Sequence, residues 1–457
     1  MPFSRAGLVS LAPRLQPLAG ALVLAFAAAG AQAQSLTEVV QAARSVDATY
    51  LGARSNADAA EYRYQQSRAL HLPSASLDIA AQHQTSGTPF TTPSSQTTDS
   101  GGATVNAQQV IFNRQNDLAI DEAQKAVDVA RLQLQATEQD LLVRVSQAYF
   151  NVLSATDALQ AVQANKSAIS EQLASAKRNF EVGNATITDT REAESRFDLA
   201  TAQEIGAIND LQVAHVTLDH LVGRNGVLPH PLALPITLPP VQPSQAQDWV
   251  NLAESENPIL KQARLNFDIA QLETARAKAG HLPTLTAGAS LGRTYAHSEL
   301  SAGPQFGAGT VSGWGSGNAV SVTLSVPLFS GFAVENRVKE TIALQDRART
   351  DVEGTRSNAT LATRQSFLGV EALRAQVKAL EAAEASSQVQ LDATKLGYKV
   401  GVKVNLDVLN ANLQLFTTQR DLAQARYNYV LATLKLRQAA GTLTQNDIVA
   451  ANALLVR

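Results

Sequence analysis

The chain of 457 residues contains no cysteine, which excludes a disulfide framework, thiolate metal sites and a lipid-modified N-terminal cysteine. Aromatic residues make up only 5%. That is too few for a core of bulky rings, whereas the abundant alanine suits close helix contacts. The formal net charge of −3 leaves no electrostatic footprint for nucleic acid. Beyond Gln34 no stretch reaches the roughly 18 apolar residues of a membrane-spanning helix. The seven histidines show no metal spacing such as HExxH, and no histidine–cysteine cluster is available. Gly307, Gly309, Gly313, Gly315 and Gly317 crowd one loop but lack the lysine and flanking strand and helix of a phosphate loop. A nucleophile elbow is absent too. These absences argue against an enzyme, a metal site and a bound cofactor.

What is present begins at the N-terminus. Arg5 and Arg14 precede the apolar run LAGALVLAFAAAGAQA, which ends in Ala31-Gln32-Ala33. A positive flank, a short apolar core and an A-x-A site make a secretory signal peptide. Cleavage after Ala33 is expected, with the exported chain starting near Gln34.

The remainder is written twice. ALHLPSASLDIA at 69–80 recurs as AGHLPTLTAGAS at 279–290, an offset of 210. VIFNRQN at 110–116 recurs as PLFSGFA at 327–333. FEVGNATITD at 180–189 recurs as YKVGVKVNLD at 398–407, an offset of 218. Such self-similarity marks an internal duplication. Between the copies runs VLPHPLALPITLPPVQPS, whose six prolines rule out a regular helix and favour an extended connector. The expected divisions are a first repeat over 34–226, a connector over 227–245, a second repeat over 246–440 and a tail over 441–457.

Within a copy the hydrophobic period changes. Leu141, Val145, Ala148, Val152, Ala155, Leu159, Val162, Ile169, Leu173, Ala176 and Phe180 keep alternating 4,3 spacing, broken only at Lys166. Ala193 to Leu221 resumes the pattern with Glu204 as its exception, and Leu409 to Leu434 repeats it with Arg420. A period of 3.5 keeps one seam facing a partner helix, the mark of a coiled coil. Helices are expected over 35–72, 113–180 and 191–222, then 247–280, 331–398 and 406–440. Two short helices would then stack end to end beside each long one.

After each HLP the period becomes two. Leu285, Ala287, Ala289 and Leu291 alternate with threonine, glycine and serine, as do Val320, Val322, Leu324 and Val326. Leu77, Ile79 and Ala81, then Val105, Ala107 and Ile111, make weaker versions. These read as four strands of about ten residues, paired through Ser/Thr/Gly/Pro-rich loops. In an exported chain, strands with one apolar and one polar face match transmembrane β-strands. Four cannot close a barrel, because open edges are not tolerated in lipid, so several chains must share one. Two chains would give eight strands and three would give twelve.

SQAYFNVLSATDAL, FEVGNATITDTREA, AGHLPTLTAGAS, YKVGVKVNLDVLNANLQLF and LAQARYNYVLATLKLRQAAGTLTQNDI together resemble the TolC family of outer-membrane channels, over essentially the whole exported chain. The resemblance implies a mixed α and membrane-β fold. In it, a homotrimer shares one twelve-stranded transmembrane β-barrel, four strands per chain, above a long coiled-coil α-barrel reaching into the periplasm. It also implies export of drugs or proteins across the outer membrane, with a periplasmic adaptor protein and an inner-membrane transporter as partners and outer-membrane lipid around the barrel. The family's closed tip is held by a polar latch, and the matching positions are Asp189, Tyr398 and Lys403. Lys403 departs from the family's arginine, and lysine cannot make a two-pronged contact. Asp189 is also placed to cap the helix that follows it. The family lines its narrowest point with two aspartates per subunit. Asp407 matches the first, but Asn410 stands at the second. Cation selectivity and divalent-cation block are therefore expected to be weaker than in a two-ring channel. A periplasmic adaptor and a structural envelope coiled coil are the alternatives. The first calls for an additional β-domain sequence and an N-terminal anchor that are not read here, and the second does not explain duplicated amphipathic strand pairs.

Overall fold

The structure, a computed structural model, describes residues 34–87, 95–183, 185–233, 235, 238–301 and 309–456; the signal sequence lies outside them. Helices α1 (Leu36–Val46) and α2 (Ala48–Arg68) lead into strands β1 (Ser74–Gly87) and β2 (Ser95–Phe112). The long helix α3 (Arg114–Glu181) and its return α4 (Ile187–Val222) follow. The second half repeats the order as α5 (Ala246–Glu256), α6 (Pro258–Ala279), β3 (Thr284–Ser301), β4 (Gly309–Ser325), α7 (Ala333–Lys399) and α8 (Asn405–Ala439). A short α9 (Gln445–Asn452) closes the described chain. Among the described residues no helix is long and apolar enough to cross a membrane.

Helices α3 and α7 contain 68 and 67 residues, each about 100 Å long at about 1.5 Å per residue. In the first half α2 and α4 pack along α3, and in the second α6 and α8 pack along α7. Gly223 after α4 meets Val46 just before α2, and Gly441 after α8 meets Asn257 just before α6, so the end-to-end stacking read from the helix lengths is present. The halves also interlock, for α6 packs on α3 through Lys125–Asp268 at 2.8 Å and Arg276–Glu122 at 3.2 Å.

Two expected helices are broken. In place of one helix over 35–72, Asp47 (φ −61°, ψ 112°) ends α1 and caps α2, accepting a bond from the Tyr50 N–H at 2.7 Å. In place of one over 247–280, Asn257 (φ −60°, ψ 119°) ends α5 and caps α6 through the N–H groups of Ile259 and Leu260. The two breaks lie 210 residues apart, at the offset of the duplicated HLP motifs. A short polar side chain can cap the next helix only if its own backbone leaves the helical region. The hydrophobic period does not register such a one-residue break.

The strands form one antiparallel sheet in the order β1-β2-β3-β4, so β2 and β3 join the halves. They are 14, 18, 18 and 17 residues long, longer than the ten or so expected. Much of the expected loop sequence, including 95–102 and 309–318, is strand. Its ladder continues past the apolar stretch through Ser, Thr and Gly, where no hydrophobic alternation announces it. Register sets Leu77, Val105 and Leu291 side by side, and likewise Ala75, Ala107, Ala289 and Val320. The opposite face carries mainly Ser, Thr, Gly, Asn and Gln, with Asp78, Ala80 and Ala319 among them. The outer edges of β1 and β4 are unpaired.

The main core lies at the middle of the rod. Leu36, Val39, Val40 and Ala43 of α1 pack on Leu141, Val145 and Tyr149 of α3, with Val227, Ile448 and Leu455 completing the cluster. The proline connector binds here: the Tyr149 hydroxyl accepts from the His230 N–H at 2.7 Å, and the Tyr429 hydroxyl donates to the Pro239 carbonyl at 2.6 Å. Trp249 adds a second cluster with Phe367, Val370 and Leu436. Connector and tail thus leave from the middle of the rod, away from both the sheet and the hairpin tips.

Candidate functional site: the two hairpin tips

Opposite the sheet, α3 turns into α4 and α7 into α8. Val182 and Val400 end the long helices in nearly the same conformation, and Gly183 and Gly401 follow at φ +79° and +80°. Only glycine takes that left-handed backbone without penalty. Their N–H groups bond back to the carbonyls of Phe180 and Tyr398. Lys403 folds across Gly397, where an added Cβ would meet its Cγ at 2.8 Å.

Each return helix begins two residues before its aspartate, so Asp189 and Asp407 both occupy its third position. They accept the N–H of the preceding cap residue, Thr186 for Asp189 at 2.9 Å and Val404 for Asp407 at 3.2 Å. The caps then differ. Thr186 also donates its hydroxyl to Asp189 at 2.8 Å and accepts the Asp189 N–H at 3.2 Å, a closed capping box. Val404 has no hydroxyl, and Asp407 keeps an oxygen 3.7 Å from the Lys403 ammonium. Equivalent carboxylates are thus tied down in one tip and freer in the other. The expected N-cap role of Asp189 belongs instead to Thr186, and α4 starts at Ile187 rather than at 191.

Within one chain the expected latch residues do not meet. Asp189 stays with Thr186, Lys403 with Asp407, and the Tyr398 hydroxyl accepts from Asn179 Nδ2 at 3.1 Å, tying α7 to α3. Asn410 accepts from Arg196 Nη2 at 3.3 Å, tying α8 to α4. Sequence reading missed Thr186, Asn179, Arg196 and Gly397. Thr186 alone had a signal, the T-x-x-D spacing. Behind the tips, Ile169, Ala176, Ala193, Ala200 and Leu409 pack in a seam of small side chains. Farther back, Lys166 donates to Glu204 at 2.7 Å and lies 5.5 Å from the Phe197 ring centre. The two heptad exceptions of α3 and α4 therefore neutralise each other. The Lys166 bond, with help from Gln163, holds Glu204 below its ordinary carboxylate range.

Two long helical hairpins, each carried on a strand pair with an apolar and a polar face, define the class to which solved outer-membrane channels belong. The VceC outer-membrane protein of Vibrio cholerae superposes with a TM-score of 0.74 at 20% identity, over 89% of this chain and 96% of that one. The sequence profile of the outer membrane efflux protein family matches residues 39–224 and 249–442, and the chain belongs to that family. Outer membrane protein TolC of Escherichia coli is 31% identical over 97% of this chain and 89% of its own length. Alkaline protease secretion protein AprF of Pseudomonas aeruginosa is 32% identical over 78% and 73%. The protein is an outer-membrane export channel with duplicated halves.

Proposed function

We propose that three copies of the chain join their sheets edge to edge into one twelve-stranded barrel, and that the helices form a tunnel through the periplasm beneath it. The observation that carries this reading is the sheet itself, with two unpaired edges, one apolar face and one polar face. Lipid cannot satisfy free backbone groups, so each β4 edge needs a neighbour's β1 edge. Ser, Thr, Asn, Gln and Gly then line the lumen. Asp78 is the one ionisable residue on that face among the described strands, bonded by Asn106 at 2.6 Å and Ser76 at 3.2 Å.

The channel exports drugs or proteins taken from an inner-membrane transporter through a periplasmic adaptor. The match to the outer membrane efflux protein family supports the first cargo class, and the similarity to an alkaline protease secretion protein supports the second. The tips are the entrance. Asp189, Tyr398 and Lys403 latch it by contacts between neighbouring hairpins, through wet bonds on the order of 1 kcal/mol each that are weak enough for a gate. Asp407, freer than Asp189, lines the entrance with three carboxylates, and Asn410 adds none. Conductance in a planar bilayer tests both levels. The wild-type protein forms low-conductance, cation-selective channels. Asp189→Asn keeps the Thr186 contacts and raises conductance, whereas Asp407→Asn lowers cation preference. Variants indistinguishable from wild type would refute the assigned tip roles, and a wild type without channels would refute the reading as a whole.

A further inference from the structure

The apolar face of the sheet ends in a cation. From the helix-side end, that face presents Leu285 and Leu324, then Ala287 and Val322, Ala289 and Val320, and Leu291 beside Asn318. The next residue of β3 on this face is Arg293, followed by Tyr295, which registers with Trp314 of β4. A strand rises about 3.3 Å per residue and tilts about 40° in a membrane barrel, which gives about 2.5 Å per residue along the membrane normal. Arg293, eight positions above Leu285, lies about 20 Å up an apolar band about 25 Å tall. Tyr295 and Trp314 stand at its upper rim, where the outer-leaflet headgroups begin.

The three side chains form one unit. The Arg293 guanidinium lies 5.1 Å from the Trp314 ring centre, and the Tyr295 ring is centred 5.4 Å from that of Trp314. Trp314 is 64% exposed. Among the described residues, no carboxylate pairs with Arg293. The acids in the two rows above Tyr295 are occupied: Asp99 meets His83 at 2.5 Å, and Glu299 lies 3.5 Å from His297. An uncompensated guanidinium at the lipid surface needs an anion, and its planar fork matches two oxygens of a phosphate. The indole face fixes the cation from one side and leaves its N–H groups free.

We propose that Arg293, held by Trp314 and bordered by Tyr295, is a docking site for the anionic phosphomonoester headgroup of an outer-leaflet lipid, one site per chain around the barrel. The proposal rests on the barrel reading above, because it needs this face to meet lipid. Native mass spectrometry of the delipidated full-length assembly tests it, with diphosphoryl lipid A, the same lipid stripped of phosphate, and phosphatidylcholine as probes. Wild type should retain diphosphoryl lipid A about tenfold more than either phosphate-free or zwitterionic probe. Arg293→Gln should lose that preference, and Arg293→Lys should keep part of it while folding as wild type. Millimolar inorganic phosphate should not release the lipid. Equal retention of all probes by wild type, or an unchanged preference in Arg293→Gln, would overturn the proposal; release by inorganic phosphate would overturn the lipid as its ligand. Planar-bilayer conductance separates the two levels: normal channels without lipid preference sink only this site, and no channels sink the barrel reading.

Discussion

At the residue scale, two positions show how local chemistry sets stability. Gly441, just after α8, has φ +75°, and an added Cβ would stand 2.4 Å from the Asn257 Cα at the α5–α6 break. Gly441→Ala therefore suffers both a left-handed backbone and overlap with main-chain atoms that cannot step aside. A loss of at least about 2 kcal/mol is expected, measured as a lower midpoint in thermal or urea unfolding; an unchanged midpoint would contradict this account of the break. Asp157 of α3 accepts the Tyr427 hydroxyl at 2.7 Å. Burial raises its pKa above the ordinary 3.8 despite that bond. A carboxyl that holds its proton more tightly in the fold adds stability while protonated. That stability is complete below pH 3.8 and is lost as pH climbs through the raised native value. Asp157→Asn, which can still accept from Tyr427, should melt higher than wild type at pH 7, with the difference closing toward pH 4. A variant less stable than wild type at pH 7 would show that the ionised carboxylate is compensated by something else.

At the element scale, the seam between α3 and α4 departs from its heptads at Lys166 and Glu204, and the two departures meet. The pair is partly exposed, so Lys166→Ala should lower the melting midpoint by only about two degrees, less at high salt. Matched leucines at both positions should restore or exceed the wild-type midpoint. If the double variant were less stable than the single one, the pair would be more than a tolerated interruption. Such pairing was half legible in the sequence. The 3.5 period located the seam and its exceptions, but not which exceptions would touch. Helix lengths, the duplication and the tip glycines were equally legible, because periodicity and punctuation carry them. The Asp47 and Asn257 breaks were not, since a capping side chain leaves the apolar spacing intact. Nor were the upper halves of the strands, where Ser, Thr and Gly continue a ladder whose backbone bonds leave no hydrophobic trace. At the tips, the matched positions of Asp189 and Asp407 could be read from the repeat. Their unequal freedom depends on one hydroxyl, Thr186 against Val404, and the Asn179 and Arg196 contacts arise only when distant helices pack.

At the scale of the whole molecule, the design is a rod with a four-stranded sheet at one end, two hairpin tips at the other and its main core between them. The polar face of the sheet is lined almost wholly by small uncharged side chains, which suits a conduit that must let unlike cargoes slide. Asp78→Asn would remove the one charge of that face among the described strands of each chain, and it should reduce cation preference without changing assembly. An unchanged reversal potential would show that Asp78 does not face the pore. The central claim is that the unpaired β1 and β4 edges close against neighbouring copies. Cysteines introduced opposite each other across that seam in this cysteine-free chain, one in β1 and one in β4, test it most directly through the ladder of products resolved under denaturing conditions. The account predicts oxidised bands of one, two and three chains, with the three-chain form dominant at completion. A ladder ending at two chains, or no cross-linking at any register, would contradict it.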